Sequence, residues 1–151
     1  MSKKITKSSS LQKFNIRALK PANPRNERGK RTWEHKMAKK GQVSFYRRLK
    51  GEKFGNHFHK GKNVSKNPEI IFFISGIVEL NLVYLSGQKK KIIIDASKSP
   101  QQVTLYSYLF HSYQAITECF YIKYRSNIFN KKDPDTFSEK EFFEIMTKEK
   151  K

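Results

Sequence analysis

Apolar and polar residues alternate along much of the chain between about residues 43 and 124, with the period of two that β-strands show. The clearest example is residues 77–84, in which apolar side chains are separated by Glu79 and Asn81. Several short segments of this kind are divided by turns that contain Gly, Asn or Pro. This pattern predicts an all-β antiparallel barrel or sandwich.

The turns within this region have different predicted roles. Ser75-Gly76 lies between two β-prone segments, residues 69–74 and 77–84, and predicts a hairpin. Residues 60–68 are polar, with Gly, Asn and Pro among them, and predict a loop.

The two ends of the chain differ from this central region. Residues 1–25 are rich in Lys and Ser and contain two prolines, so we predict a basic flexible arm there, followed by a single domain over residues 26–151. Near the other end, Ser138-Glu-Lys-Glu141 is a capping-box pattern, which predicts a short helix to about residue 148.

The composition of the chain indicates its cellular compartment. A single cysteine, Cys119, excludes an internal disulfide framework and indicates a reducing compartment. No apolar run in the sequence approaches the roughly 18 residues that span a bilayer. The first residues carry no apolar stretch typical of a secretory signal. We therefore predict a cytoplasmic protein without membrane insertion.

The net charge of +19 is concentrated towards the N-terminus, since sixteen Lys and Arg residues but only two Glu residues lie in residues 1–50. Such a field attracts nucleic acid, acidic membrane surfaces or phosphorylated small molecules, although a solvated lysine-rich tail is the alternative. A nucleic-acid-associated protein is the least favoured function, because Phe14 is the only aromatic residue in the arm that could stack on bases.

Three of the four histidines are candidates for one metal site. His57 and His59 are two residues apart, so on a strand both point to one face and Phe58 points to the other. Glu69 follows nearby, and His111 adds a third imidazole from a later strand. This donor set suits a divalent metal such as Zn, Fe, Ni or Mn.

Each candidate ligand also has a structural alternative. The histidines could be hydrogen-bonded interior residues that bind no metal. Glu69 could pair with a lysine of the preceding loop: Lys60, Lys62 or Lys66.

The stretch Gly51-x5-His57-x-His59, followed by Glu69-x6-Gly76, resembles the first motif of the cupin superfamily. More narrowly, the chain resembles the C-terminal cupin domain of bifunctional capsular-polysaccharide enzymes, which act on UDP-linked 4-keto-6-deoxy sugars. Four segments carry this likeness: Gly41-Gln-Val-Ser, Gly55-Asn-His-Phe-His59, Ile74-Ser-Gly76, and the tail from Ser126-Asn-Ile-Phe129 through Asp133-Pro-Asp-Thr-Phe137. The resemblance covers roughly residues 26–140 and implies a jelly-roll barrel, or double-stranded β-helix, with the short helix after it.

The resemblance implies that a divalent metal, which we expect to be zinc, is bound by four residues: His57, His59, Glu69 and His111. Nine residues separate His59 from Glu69, more than the family usually has, so this ligand set requires residues 60–68 to loop out.

The implied activity is that of a 3-epimerase or isomerase acting on a nucleotide-linked keto-sugar in surface-polysaccharide synthesis. Epimerisation beside a ketone needs a base and an acid, and a metal-bound histidine cannot also be the base. The candidates for these catalytic roles are His57, His111, Tyr106 and Tyr108. The candidates for contacts to the nucleotide diphosphate and its sugar are Arg28, Asn56 and Lys60.

The resemblance also implies partners. We expect a homodimer and a separate reductase, because the reductase domain that precedes the cupin in those enzymes has no counterpart in this sequence. The alternative function is a non-catalytic cupin module that binds a metal or a sugar without turnover.

Overall fold

The computed structural model describes residues 14–18, 24–26, 41–127, 132 and 134–149. Within these residues the chain forms nine strands and one α-helix, α1 (Glu139–Glu149). The strands are β1 (Phe14–Ala18), β2 (Gln42–Arg48), β3 (Lys53–His57), β4 (Glu69–Ser75), β5 (Ile77–Val83), β6 (Lys89–Asp95), β7 (Gln101–Leu105), β8 (Phe110–Ala115) and β9 (Cys119–Arg125).

The strands form two antiparallel sheets. The larger sheet has the order β1-β7-β4-β9-β2, and the smaller has the order β3-β8-β5-β6. The prediction of an all-β antiparallel sandwich with a short C-terminal helix is confirmed. Within the described part of the chain, no helix combines the length and apolar character that crossing a membrane requires.

The main core lies between the sheets. Along β5, Val78, Leu80 and Leu82 are buried, while the residues between them are half-buried on the outer face. Ile71 and Phe73 on β4 belong to the same buried cluster from the other sheet. Burying each such side chain contributes about 1.5–3 kcal/mol, so the alternation seen in the sequence holds the two sheets together.

The predicted hairpin at Ser75-Gly76 is wrong. Strand β4 pairs with β7 and β9, whereas β5 pairs with β6 and β8, so this turn carries the chain from one sheet to the other. Gly76 has a φ of +88°, and a Cβ there would lie 2.3 Å from the carbonyl oxygen of Glu118. Glycine is therefore needed for the crossing, and a turn glycine in the sequence does not distinguish a crossing from a hairpin.

Part of the predicted arm belongs to the larger sheet. Residues 14–18 form β1, which pairs with β7 from Phe14 opposite Leu105 to Ala18 opposite Gln101. Phe14 and Ile16 pack against the main core, which explains why a short basic segment can hold a strand. The arm is thus not loose over these five residues, and the domain boundary between residues 25 and 26 stays a prediction.

Helix α1 covers one end of the sandwich. The capping box is confirmed, since the Glu141 carboxylate accepts hydrogen bonds from the backbone N–H and the hydroxyl of Ser138 at 2.8 Å. Phe142 and Met146 pack against Phe58 and Phe110 in a second apolar cluster. This cluster holds Phe58, and thereby the chain on which the two neighbouring histidines lie.

Candidate metal centre

The fold brings together the four predicted metal ligands: His57, His59, Glu69 and His111. One potential ligand atom from each lies within 4.8 Å of the others. His57 ends β3 and stands opposite His111 of β8 in the strand register, while Glu69 begins β4 in the other sheet. The centres of the His57 and His111 rings are 4.7 Å apart.

A bulge in β3 shapes this arrangement. The register with β8 shifts between Gly55 and His57, and Asn56 has a φ of 61°. The strand ends at His57, so His59 lies beyond it rather than within it as predicted. Phe58 forms an isolated bridge with Phe137 and is buried in the helix cluster, while the centres of the two imidazole rings on either side of it are 4.8 Å apart. The convergence of His57 and His59 is therefore as predicted.

All three imidazoles are oriented by the same kind of contact. The Nδ1 atom of each lies within hydrogen-bond distance of a backbone carbonyl, which can only accept, so Nδ1 carries the proton. The pairs are His57 with Gly55 at 2.9 Å, His59 with Asp135 at 2.5 Å, and His111 with Leu109 at 3.1 Å. In the neutral imidazoles Nε2 is therefore left as a bare acceptor, which is the form that binds metals.

The four ligand groups form a cage of acceptors. Glu69 Oε2 lies 3.3 Å from His59 Nε2 and 3.5 Å from His111 Nε2. The Nε2 atoms of His57 and His111 are buried with no hydrogen-bond partner among the described residues. Buried acceptors without a donor are costly, and a cation between these four groups would satisfy them.

The dimensions of this cage suit a metal ion. In a tetrahedral site, two ligand atoms that are each about 2.1 Å from one zinc ion lie about 3.4 Å apart. The ligand atoms here lie within 4.8 Å of one another, so the side chains must move inward by roughly an ångström to bind the ion. The residues present therefore fit a divalent metal.

The protonation states also suit metal binding. The pKa of His57 is lowered to about 2, chiefly by burial and also by the neighbouring His111 and His59, against the opposing effect of Glu69. Burial likewise lowers the pKa of His111, against the opposing effect of Glu69. Both rings are thus neutral at physiological pH, as metal ligands must be.

No protein family and no curated protein matches the chain by sequence. Solved structures do match its fold. The sugar 3,4-ketoisomerase QdtA from Thermoanaerobacterium thermosaccharolyticum, in complex with TDP, covers 92% of this chain and 98% of its own at 14% identity, with a TM-score of 0.64. The epimerase RmlC from Legionella pneumophila, in complex with dTDP-4-keto-L-rhamnose, covers 86% of this chain and 74% of its own at 18% identity, with a TM-score of 0.60.

The chain has the jelly-roll fold of the cupins. The capsular polysaccharide assembling protein CapF from Staphylococcus aureus covers 66% of this chain at 20% identity, with a TM-score of 0.56. The chain spans 26% to 29% of the length of the CapF structures that it matches. The predicted resemblance to the cupin domain of capsule enzymes is confirmed at the level of the fold.

The second carboxylate oxygen of Glu69 has a different role. Oε1 accepts from the Lys66 ammonium at 2.6 Å and from the Lys123 ammonium at 3.2 Å. Burial raises the pKa of Glu69, but the positive charges of Lys123 and Lys66 oppose it, and the pKa lies well below its usual value. The predicted alternatives for Glu69 are therefore compatible, because Oε2 faces the imidazoles while Oε1 pairs with the lysines.

The loop between His59 and Glu69 is fastened by Asp135. The Asp135 carboxylate accepts from the backbone N–H groups of Lys60 and Asn63, both at 3.0 Å. Its own carbonyl meets His59 Nδ1, so one buried residue orients both the loop and a ligand. Residues 60–68 do loop out, as the ligand set required.

Sequence reasoning missed four residues that surround the ligands: Lys66 as a buried group, Lys123, Asp135 and Tyr113. Tyr113 shares the inward face of β8 with His111, which the period-two pattern could have shown. Its hydroxyl is buried without a hydrogen-bond partner among the described residues, and burial followed by Glu69 raises its pKa well above the usual value.

The other predicted site residues that the structure describes lie outside the cage. Tyr106 is exposed, and the Tyr108 ring packs 6.2 Å from that of Phe58, in the cluster beneath helix α1. Asn56 is exposed and lines a cavity on the outer face of the smaller sheet, and the Lys60 ammonium lies 3.9 Å from the centre of the Phe137 ring. Arg28 lies outside the described residues. The catalytic and substrate-binding roles of these residues stay predictions.

Proposed function

We propose that this cupin acts on a nucleotide-linked keto-sugar, as a 3-epimerase or isomerase in surface-polysaccharide synthesis, and that it binds a divalent metal at His57, His59, Glu69 and His111. The observation that carries the proposal is the buried cage of acceptors on a cupin fold. Three nitrogen ligands and one oxygen ligand favour zinc, and a bound metal would polarise a ketone oxygen as a Lewis acid.

The fold neighbours support the choice of substrate class. QdtA and RmlC are described with a TDP or dTDP-linked ligand, and CapF is described as a capsular polysaccharide assembling protein. Because the similarity to each is low, the activity is carried to this chain as part of the proposal.

The chain's own residues would supply the proton transfers. His57 is the least buried of the four ligands, so it is the imidazole most open to a substrate, but its pKa of about 2 makes it too weak a base, and its proposed role is that of a metal ligand. Tyr106 and Tyr108 remain candidates for the acid. Tyr113 joins them, because its buried hydroxyl has no hydrogen-bond partner among the described residues and its ring centre lies 5.9 Å from that of His111.

The proposed activity predicts exchange of the proton next to the ketone. Incubation with a UDP- or dTDP-linked 4-keto-6-deoxy sugar in D2O should place deuterium on the carbon beside the ketone, which mass spectrometry and proton NMR detect. The rate should fall at least about a hundredfold in a His57→Ala variant, because the variant loses a metal ligand and with it the Lewis acid that would polarise the ketone.

Lys53→Ala provides the matched control, since Lys53 is an exposed residue of the same strand. It should exchange at the wild-type rate. If the sugar binds in calorimetry but acquires no deuterium, the epimerase proposal fails and the alternative of a non-catalytic binding module replaces it.

Three further features belong to the proposal. The single cysteine supports a cytoplasmic location. A separate reductase would act with the cupin, as the likeness to the capsule enzymes implies. The chain would also form a homodimer.

The outer face of the larger sheet is the surface that we propose for the dimer. Phe45 on β2 is 75% exposed, and Ile74 and Phe120 beside it are also exposed. They line a shallow apolar cavity on three neighbouring strands. Because each copy carries +19 charges, an apolar face is where two copies can meet with least repulsion.

A Phe45→Glu substitution should therefore separate the dimer. We expect its dissociation constant to rise at least about tenfold in analytical ultracentrifugation, because a charge would be buried at the interface. Ile93→Glu is the matched control, since Ile93 is 54% exposed on β6 of the other sheet. Equal effects of the two substitutions, or a monomeric wild type, would contradict this assignment.

A further inference from the structure

We infer that the ammonium of Lys66 is a built-in cation that competes with the divalent metal for Glu69 and His59, so that the loop before β4 sets the metal affinity of the site. This inference rests on the proposed metal site but not on the proposed reaction.

Lys66 bridges two of the four ligand residues. Its Nζ lies 2.6 Å from Glu69 Oε1 and 3.5 Å from His59 Nε2. The side chain is only 2% exposed. Lys123 also reaches Glu69 Oε1, at 3.2 Å, but it is less buried. Lys66 is therefore the described ammonium that contacts both a ligand carboxylate and a ligand imidazole.

Hydrogen bonds hold the backbone of the loop that carries Lys66. Val64–Lys66 forms one 3-10 turn, which begins where the Asn63 side chain accepts from the backbone N–H of Ser65. The backbone N–H of Asn63 is in turn bound by the buried Asp135 carboxylate. Lys66 thus enters the site from an anchored turn and does not depend on a freely moving surface side chain.

Electrostatics determines the direction of the effect. In the metal-free protein, Lys66 supplies positive charge to a cage that consists otherwise of acceptors. Once a dication is bound, the same ammonium becomes a like charge a few ångströms away, in a buried site where water screens little. Lys66 should therefore stabilise the empty site and weaken the binding of metal.

The test is calorimetric titration of Zn²⁺ into chelator-stripped protein at one fixed pH. Lys66→Gln removes the charge but keeps a hydrogen-bond donor for Glu69 Oε1. We expect this variant to bind zinc at least about tenfold more tightly than the wild type, because the repulsion is removed. Lys62→Gln removes the same charge from an exposed position of the same loop and should leave the affinity unchanged.

Equal or weaker zinc binding by Lys66→Gln would overturn the inference, since Lys66 would then only orient Glu69. Absence of zinc binding in both proteins would overturn it as well. If the variant is unstable without metal, circular dichroism provides the second measurement. The rise in Tm on adding zinc should be larger for Lys66→Gln than for the wild type, and an equal or smaller rise would refute competition. Failure of the deuterium exchange would contradict the reaction without changing these results.

Discussion

Replacement of His57 by alanine is expected to remove the divalent metal from the purified protein while leaving the fold intact. Loss of a residue that merely orients a metal ligand already costs ten- to a hundredfold in affinity, so loss of a ligand should cost more than about a hundredfold. The fold should survive, because His57 Nδ1 contacts only the carbonyl of Gly55, two residues away, and the ring is half-buried.

Elemental analysis of the wild type and the variant measures this effect, with far- and near-ultraviolet circular dichroism as the check on folding. The wild type should carry about one metal ion per cage, since the four ligands form a single group. The exposed Lys53→Ala variant should retain the metal. Retention of stoichiometric metal by a folded His57→Ala variant would exclude this residue as a ligand.

Much of this site could be predicted from the sequence, because its first part depends on local geometry. His57 and His59 flank Phe58. In an extended chain successive side chains point to opposite sides, so the two imidazoles share one side and Phe58 lies on the other. The apolar cluster beneath helix α1 then fixes Phe58 on one side and the imidazoles on the other. The prediction holds even though the strand ends at His57, since extended backbone alone is enough to alternate the side chains.

The parts that could not be predicted depend on contacts distant in sequence. Asp135 meets the loop at Lys60 and Asn63, more than 70 residues earlier in the chain. In the sequence, Lys66 is one of many lysines, and nothing local distinguishes a buried lysine from a solvated one. The hairpin error at Gly76 has the same origin, because the strand that follows pairs in the other sheet.

The contacts of residues 60–68 explain the long spacing between His59 and Glu69. A shorter connection would bring the carboxylate to the imidazoles with no loop between them. Here the additional residues form the anchored turn that carries Lys66, so the same insertion delivers both a ligand and an opposing charge. Glu69 is therefore the residue on which the cage and the loop both depend.

Substitution of Glu69 by glutamine is expected to produce the largest loss of stability of any single change at the site. Glu69 and Lys66 are both 2% exposed, and Lys123 contacts the same oxygen. Removing one partner of a buried ion pair leaves the other charge uncompensated and costs about 3–5 kcal/mol in the free energy of unfolding. Urea denaturation of the chelator-stripped proteins measures this difference without any contribution from bound metal.

Glu118→Gln is the matched control, because the Arg47–Glu118 pair has the same 2.6 Å separation as the Lys66–Glu69 pair but lies on the exposed surface. Its loss should change stability little. In the double variant Glu69→Gln with Lys66→Met, most of the lost stability should return, because the uncompensated ammonium is gone and a methionine can fill its place. If Glu69→Gln is no more costly than Glu118→Gln, the charge on Glu69 is not what holds the loop against the sheet. Recovery in the double variant would show that the cost of Glu69→Gln comes from the buried Lys66 ammonium left uncompensated, and not from a change of shape at residue 69.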